Sequence, residues 1–275
     1  MKCAADGFKG APEYALSELA SIPVSKVKAA LYGVKWAEAN TDLNINLDEY
    51  DPEKVEIEVI PTIKWQWDEY PIDHKFAASG LRYLESRGIP LEIAKKYHIR
   101  HAPARQRVLF PVELDGRLIG HQDRLIVDDV IWSEEEQQYK RCPKILSSDN
   151  LPRQIPMFAD NLNGSDHVII TEGPIDAIKF DYCNGGNIAT MGKEVGPRQI
   201  KFIKSKPIKK VYIALDPDAF AVTNRLIQEF SEYEVYVLKP LDGYKDFGAM
   251  LFEQCYQVFK KAQPVFPGEL ILHFA

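Results

Sequence analysis

The sequence predicts an α/β protein: a parallel, Rossmann-like sheet in the C-terminal half, preceded by a smaller α+β region. Three observations carry this expectation. Three short runs rich in β-branched residues, at 166–171, 210–215 and 233–238, are separated by helix-length segments, the pattern of buried parallel strands in βαβ units. Upstream, residues 108–114 and 117–120 flank Asp115-Gly116, a two-residue turn favoured by antiparallel hairpins. Finally, each of the three runs is followed by acid: Glu172, then Asp216 with Asp218, then Asp246. Ligands of open α/β sheets bind beyond the carboxyl ends of the strands, so these acids are expected to converge. Converging carboxylates repel unless a cation lies between them, and hard oxygen ligands favour Mg²⁺ or Mn²⁺.

From the N-terminus, residues 1–39 form a helical segment in which Leu16, Leu19 and Ala20, then Val27, Ala30 and Leu31, recur at helical spacing. Ser25 suits an N-cap. Residues 40–75 read as an acidic linker with a turn at Asp51-Pro52. Within it, residues 55–59 alternate like a half-exposed strand, and Trp65 and Trp67 are spaced as on one strand face. Residues 76–160 form the smaller α+β region. It opens with two helices within 76–97, joined where Gly88 suits a helix C-terminus and Pro90 the first turn of the next helix. The hairpin follows, then further strands at 125–127 and 130–132, a polar excursion at 134–138 and a connection over 151–162. Residues 161–260 hold the parallel sheet, and 261–275 form a tail.

Composition narrows the class. No apolar run approaches the roughly 20 residues that span a bilayer, and no apolar stretch of a secretory signal follows Lys2. A cytoplasmic protein without membrane partners is expected. The four cysteines, Cys3, Cys142, Cys183 and Cys255, include no CxxC pair, so free thiols are expected. The net charge of −6 weighs mildly against nucleic acid, but its distribution weighs the other way. Residues 40–73 are acidic, whereas 193–210 and 100–153 carry basic runs, the latter including Arg117, Arg124 and Lys144. Such runs fit a solvated face or a groove beside the acids.

The acids admit plain roles too. Asp216 or Asp218 could cap a following helix, and Asp176 could stabilise a helix dipole by about 0.3–1 kcal/mol. Two acids one residue apart, beside a third strand-end acid, favour metal binding over capping. Gly173, directly after Glu172, permits a sharp turn and close backbone approach.

The motif Glu172-Gly-Pro-Ile-Asp176, followed about forty residues later by Asp216-Pro-Asp218 and then by Asp242-Gly-Tyr-Lys245-Asp246, resembles the TOPRIM domain. Upstream, Phe110-Pro-Val, Asp115-Gly-Arg117-Leu-Ile-Gly120 with Arg124, Pro143-Lys144-Ile-Leu-Ser147-Ser148, and Tyr83-Leu84 with Arg87-Gly88-Ile89 resemble, in the same order, segments of DnaG-type and bacteriophage DNA primase catalytic cores. The resemblance implies a nucleotidyltransferase that makes short RNA primers on single-stranded DNA from ribonucleoside triphosphates by two-metal catalysis. It implies Glu172 as metal ligand or general base, and Asp216, Asp218 and Asp246 as holders of Mg²⁺ or Mn²⁺. Gly173 and Asp176 support the site. Arg124, Lys144, Lys245 and Arg117 contact nucleotide or template. The same acids would serve a TOPRIM nuclease, and a noncatalytic replication-accessory DNA-binding protein could keep the fold.

The chain departs from this family at its start. DnaG-type primases carry an N-terminal zinc ribbon, and here Cys3 alone resembles its remnant. One thiol cannot complete a four-coordinate site, so no stoichiometric zinc is expected. No nucleotide-binding P-loop is present. A replicative helicase or a separate zinc-ribbon protein is the expected partner.

Overall fold

The computed structural model describes residues 60–127, 130–133 and 138–265. Cys3, the helices expected within 1–39 and the strand-like run at 55–59 lie outside these residues. In chain order the strands are β1 (Tyr70–Pro71), β2 (Arg100–Ala102), β3 (Arg107–Leu114), β4 (Arg117–Leu125), β5 (Val130–Ser133), β6 (Gln138–Arg141), β7 (Ile145–Ser147), β8 (His167–Thr171), β9 (Asn187–Ala189), β10 (Lys210–Ala214) and β11 (Glu234–Val237). The α-helices are α1 (Ala78–Ser86), α2 (Leu91–Lys96), α3 (Pro174–Lys179), α4 (Pro197–Lys204), α5 (Phe220–Glu229) and α6 (Phe252–Lys261). The strands form an antiparallel sheet in the order β1-β2-β3-β4-β7, a parallel sheet in the order β11-β10-β8-β9, and the small pair β5-β6.

β3 is the spine of the antiparallel sheet because Val108, Leu109, Phe110 and Val112 are all buried. At the tip of its hairpin with β4, Asp115 and Gly116 both take positive φ, 52° and 70°, as a type I′ turn requires. The Asp160 carboxylate accepts both their amides, at 2.7 and 2.8 Å. Helices α1 and α2 form as expected, broken at Gly88 (φ 69°). Pro90 stands at the N-cap of α2 rather than inside its first turn. Close approach dictates Gly80: a Cβ there would stand 2.7 Å from the His101 ring of β2.

β8 is central in the parallel sheet, and all five of its residues are buried. Val168, Ile170, Val211 and Ile213 pack under α4 and α5, with Ile203 and Phe230 among their partners. Ile169, Tyr212 and Ala214 meet Phe180, Phe247 and Cys255 on the other face. A third core joins the two sheets, with Leu84, Phe110 and Met157 packed with Ala177, Ile178, Ala189 and Phe252. Across this seam the Tyr97 hydroxyl donates to Asp181 Oδ1 (2.8 Å), and Asn187 Nδ2 donates to the Tyr97 hydroxyl oxygen (2.6 Å) and to Ala177 O (2.9 Å).

Four expectations are revised. Residues 60–75, assigned to the linker, belong to the compact unit that begins at Ile60. Ile63 donates its amide to Leu118 O at 2.9 Å and Ile72 is buried, because apolar residues interrupt the acidic run there. Trp65 and Trp67 do not share a strand face: Trp65 stacks on His121 with Arg100 over its ring, while Trp67 is 88% exposed. The strand expected at 125–127 is only the end of β4, and Gln138, assigned to the polar excursion, opens β6. Among the described residues no helix is long and apolar enough to cross a membrane.

Candidate active site

Glu172 directly follows β8 and Asp216 lies two residues beyond β10, so the parallel pairing of these strands brings them together. The Asp216 amide donates to Glu172 Oε1 at 3.2 Å. Glu172, Asp216 and Asp218 each offer a carboxylate oxygen, all within 4.8 Å of one another. Burial, and then the neighbouring Asp216, push the Glu172 carboxyl up to about 7. Asp216 is raised by burial, then by Asp246 and Asp218. Asp218 is exposed and held below its ordinary value by an ion pair with Lys193. This donor set fits a hard divalent cation: oxygen atoms only, close together, with two carboxyls held toward the protonated state for want of positive charge.

Asp246 and Asp176 border this trio. Asp246 caps the 3₁₀ turn Phe247–Ala249 by accepting the Ala249 amide at 2.9 Å. It stands outside the trio's 4.8 Å set, yet close enough to raise Asp216 and Asp176. Asp176, in the first turn of α3, accepts the Gly248 amide at 2.7 Å, while burial pushes its carboxyl up to about 6. A hydrogen bond to a charged acceptor is worth about 1.5–3 kcal/mol, more than the helix-dipole role expected of Asp176. Its main task is therefore to fix the segment that bears Asp246. Gly173 keeps an extended backbone (φ −122°) and makes no positive-φ turn. Its lack of a side chain leaves room for Asp176, whose Oδ2 would lie 3.0 Å from a Cβ there.

A cleft of about 460 Å³ is lined by Arg124 and Leu125 at the end of β4, by Arg141 at the end of β6, by Lys144 just before β7, and by Tyr83 and Arg87 from the end of α1. Buried Nε atoms of Arg87 and Arg124 have no hydrogen-bond partner, although nearly all buried polar groups have one. Arg87 also reaches to 4.0 Å from Asp246 Oδ1, so one guanidinium borders both the cleft and the acids. Of the expected contact residues, Arg124 and Lys144 meet in this cleft. Lys245 is exposed and lowers the proton affinity of Asp216 and Asp218. Arg117 is exposed at the turn end of β4, about seven residues or roughly 23 Å along the strand from Arg124, and does not line the cleft. Sequence reasoning did not assign Arg87, Arg141 or Lys193 to the site. Arg141 and Lys193 lay within the basic runs and Arg87 within a segment that resembles primase cores, but none was singled out from its neighbours.

The site and fold define a class: a mixed α/β protein with a parallel and an antiparallel sheet, acids at the carboxyl ends of the parallel strands, and a basic cleft beside them. No family profile matches the sequence, and no curated protein matches it. Solved structures do. A DnaG primase catalytic domain bound to single-stranded DNA aligns at 18% identity over 70% of this chain and 74% of its own, with a TM-score of 0.55. The zinc-binding and RNA polymerase domains of Aquifex aeolicus primase align at 17% over 93% and 71%, with 0.56. The E. coli primase catalytic core aligns at 15% over 70% and 76%, with 0.54. The fold of this chain is that of a DnaG-type primase catalytic core.

Proposed function

We propose that this protein is a DnaG-like primase core that synthesises short RNA primers on single-stranded DNA, with residues 161–260 acting as its TOPRIM domain and 76–160 as the preceding subdomain. One observation carries the reading: Arg87 of the basic cleft reaches Asp246, which borders the carboxylate trio, on the fold of DnaG catalytic cores. Acids alone would suit any metal-dependent phosphoryl chemistry; the cleft adds a place for polyanionic chains and triphosphates. That one structural neighbour is bound to single-stranded DNA supports the template assignment.

Glu172, Asp216 and Asp218 would hold Mg²⁺ or Mn²⁺, with Asp246 beside them. When bound, the cation supplies Lewis acidity and neutralises charge on the phosphates. Glu172 would serve either as a ligand of that cation or, where it stays outside the coordination sphere with its carboxyl near neutrality, as the base that takes the proton of the attacking 3′-hydroxyl. Arg124 and Arg87 offer guanidinium donors to phosphate oxygens, and a planar fork does this better than an ammonium. Lys144 and Lys245 add charge at the rim. Release of Lys193 from Asp218 would free that carboxylate for the metal. A replicative helicase or a zinc-ribbon protein would bring the core to its template.

Incubation of the protein with single-stranded template, labelled ribonucleotides and Mg²⁺ tests the proposal. Oligoribonucleotides that vanish in Asp216→Asn support it. A shortened template with no product would indicate a nuclease, and unaltered template with retained binding an accessory protein.

A further inference from the structure

Beside β11, the edge strand of the parallel sheet, lies a groove of about 680 Å³. Helix α6 forms one bank; β11 and the residues after it form the other. Val237, Leu238, Leu241, Val258, Pro264 and Val265 give it an apolar lining, and Leu241 is 42% exposed. A contiguous apolar surface of this kind marks a place where something docks. After α6 the chain comes back along β11. Pro264 bridges to Tyr236 in antiparallel sense, and the Val265 amide donates to Val235 O at 2.8 Å. Residue 266 therefore starts at one end of the groove.

The residues that follow read Phe266-Pro-Gly-Glu-Leu-Ile-Leu-His-Phe-Ala275. Pro267 and Gly268 suit the second and third places of a type II turn, where Pro presets φ and Gly supplies the positive φ. Such a turn reverses the chain and splays its arms instead of pairing them in a ladder. Residues 264 and 265 run antiparallel to β11, so the return arm runs the other way, toward Leu238 and Leu241. Leu270, Leu272 and Phe274 alternate in sequence and share one face of an extended arm. An arm from Leu270 to Phe274 reaches about 16 Å at roughly 3.3 Å per residue. Helix α6, with 10 residues, is about 15 Å long. Starting point, direction, reach and apolar face all fit the groove.

We infer that residues 266–275 are an intramolecular strap: the chain reverses at Pro267-Gly268, and Leu270, Leu272 and Phe274 fill the groove between α6 and β11. The strap and a partner protein cannot share this face, so a partner that docks here must first displace the strap. The inference does not rest on primer synthesis, because it uses neither the acids nor the basic cleft.

The test uses the full chain without metal or nucleotide, with the Ile, Leu and Val methyl groups labelled for NMR. Leu272 methyls should show cross-relaxation with those of Val237, Leu241 and Val258 within a single chain. Leu272→Asp, which places a charge in the groove, and Gly268→Val, which opposes the positive φ of the turn, should each abolish these contacts and lower the thermal midpoint by a few degrees. Glu269→Ala should change neither. A synthetic peptide of residues 266–275 should shift the Val237 and Leu241 signals of the Leu272→Asp chain, and should bind the unaltered chain at least tenfold more weakly, because its own strap competes. Absence of the Leu272 contacts in the unaltered chain, or equal peptide affinity for both chains, would overturn the inference. So would contacts seen only between differently labelled chains in a mixture, which would make the occupant a second copy.

Discussion

The parallel and antiparallel sheets bring opposite charges to one site by different routes. In the parallel sheet, β8 and β10 run side by side, so Glu172 and Asp216 meet because each stands just past the end of its strand. In the antiparallel region the positive charge is gathered from separate pieces: the end of α1, the end of β4 and the surroundings of β7. One half of the site is thus placed by topology alone, and the other by tertiary packing. Loss of a topologically placed acid should therefore be chemically severe and structurally mild. Loss of a gathered base should weaken binding, and disturbance of the seam between the sheets should act on stability.

The largest expected effect is at the acids. Asp216→Ala should lower primer synthesis at least 100-fold, since even groups outside the first coordination shell cost about 10–100-fold. Its thermal midpoint should hold or rise without metal, because a repelling carboxylate is gone. Normal turnover in this variant would reduce the trio to helix caps. Next come the guanidinium groups. Arg124→Ala and Arg87→Ala should each weaken nucleotide or template use by about 10–100-fold, consistent with roughly 1.5–3 kcal/mol for a hydrogen bond to a charged group. Arg124→Lys should not restore it. Template binding should fall steeply between about 50 and 200 mM salt as counterions are released, and a flat salt titration would remove the cleft from the account.

The seam gives a third test. Asn187→Ala would remove a donor to the Tyr97 hydroxyl oxygen and one of two donors to Ala177 O, which still accepts the Phe180 amide, a loss of about 1–3 kcal/mol. For a protein of this size that is roughly 2–10 °C in Tm, readable by calorimetry. If Tm does not move, the seam rests on apolar contact alone.

The fourth test concerns protons. Glu172 rises from 4.5 to about 7 on folding, so the folded state binds its proton more tightly than the unfolded state does. Its contribution to stability is complete below 4.5 and is lost as pH rises through 7. Metal-free protein should therefore lose thermal stability from pH 5 to about pH 8, and Glu172→Gln should flatten that slope. Metal binding, which needs the carboxylate, should run the other way and strengthen up to about pH 7. The smallest expected effect is at Arg117: its replacement by Ala should alter synthesis less than about twofold, as for surface positions away from a site.

The same contrast explains what was legible in the sequence. β8, β10 and β11 are continuous β-branched runs with acids after them, and a hairpin turn at Asp115-Gly116 needs only local chemistry; all are readable from neighbours in sequence. β1, β2, β7 and β9 span two or three residues each, too short to show a period, and exist because partner strands complete their hydrogen bonds. The trio was readable because parallel strands align their ends. Asp246 was not fully so: a cap and a ligand look alike in sequence, and the Ala249 amide claims one of its oxygens. Arg87 was hidden because a side chain at the end of a helix acquires its role only when Asp246 and Arg124 arrive from elsewhere.

The hydrogen bond from Asn187 to Tyr97 joins residues 90 apart in sequence. Chains emerge from the ribosome at roughly 5–20 residues per second, so Tyr97 waits some 5–20 seconds for its partner. During that interval Phe110 and Leu84 lack Ala177, Ile178 and Phe252, the apolar surface that later covers them. The first sheet must therefore be born with an uncovered side, and completion of the fold is deferred until the acid-bearing half has been made. The burden of this long-range seam therefore falls on the period of synthesis, when the first sheet still lacks its cover.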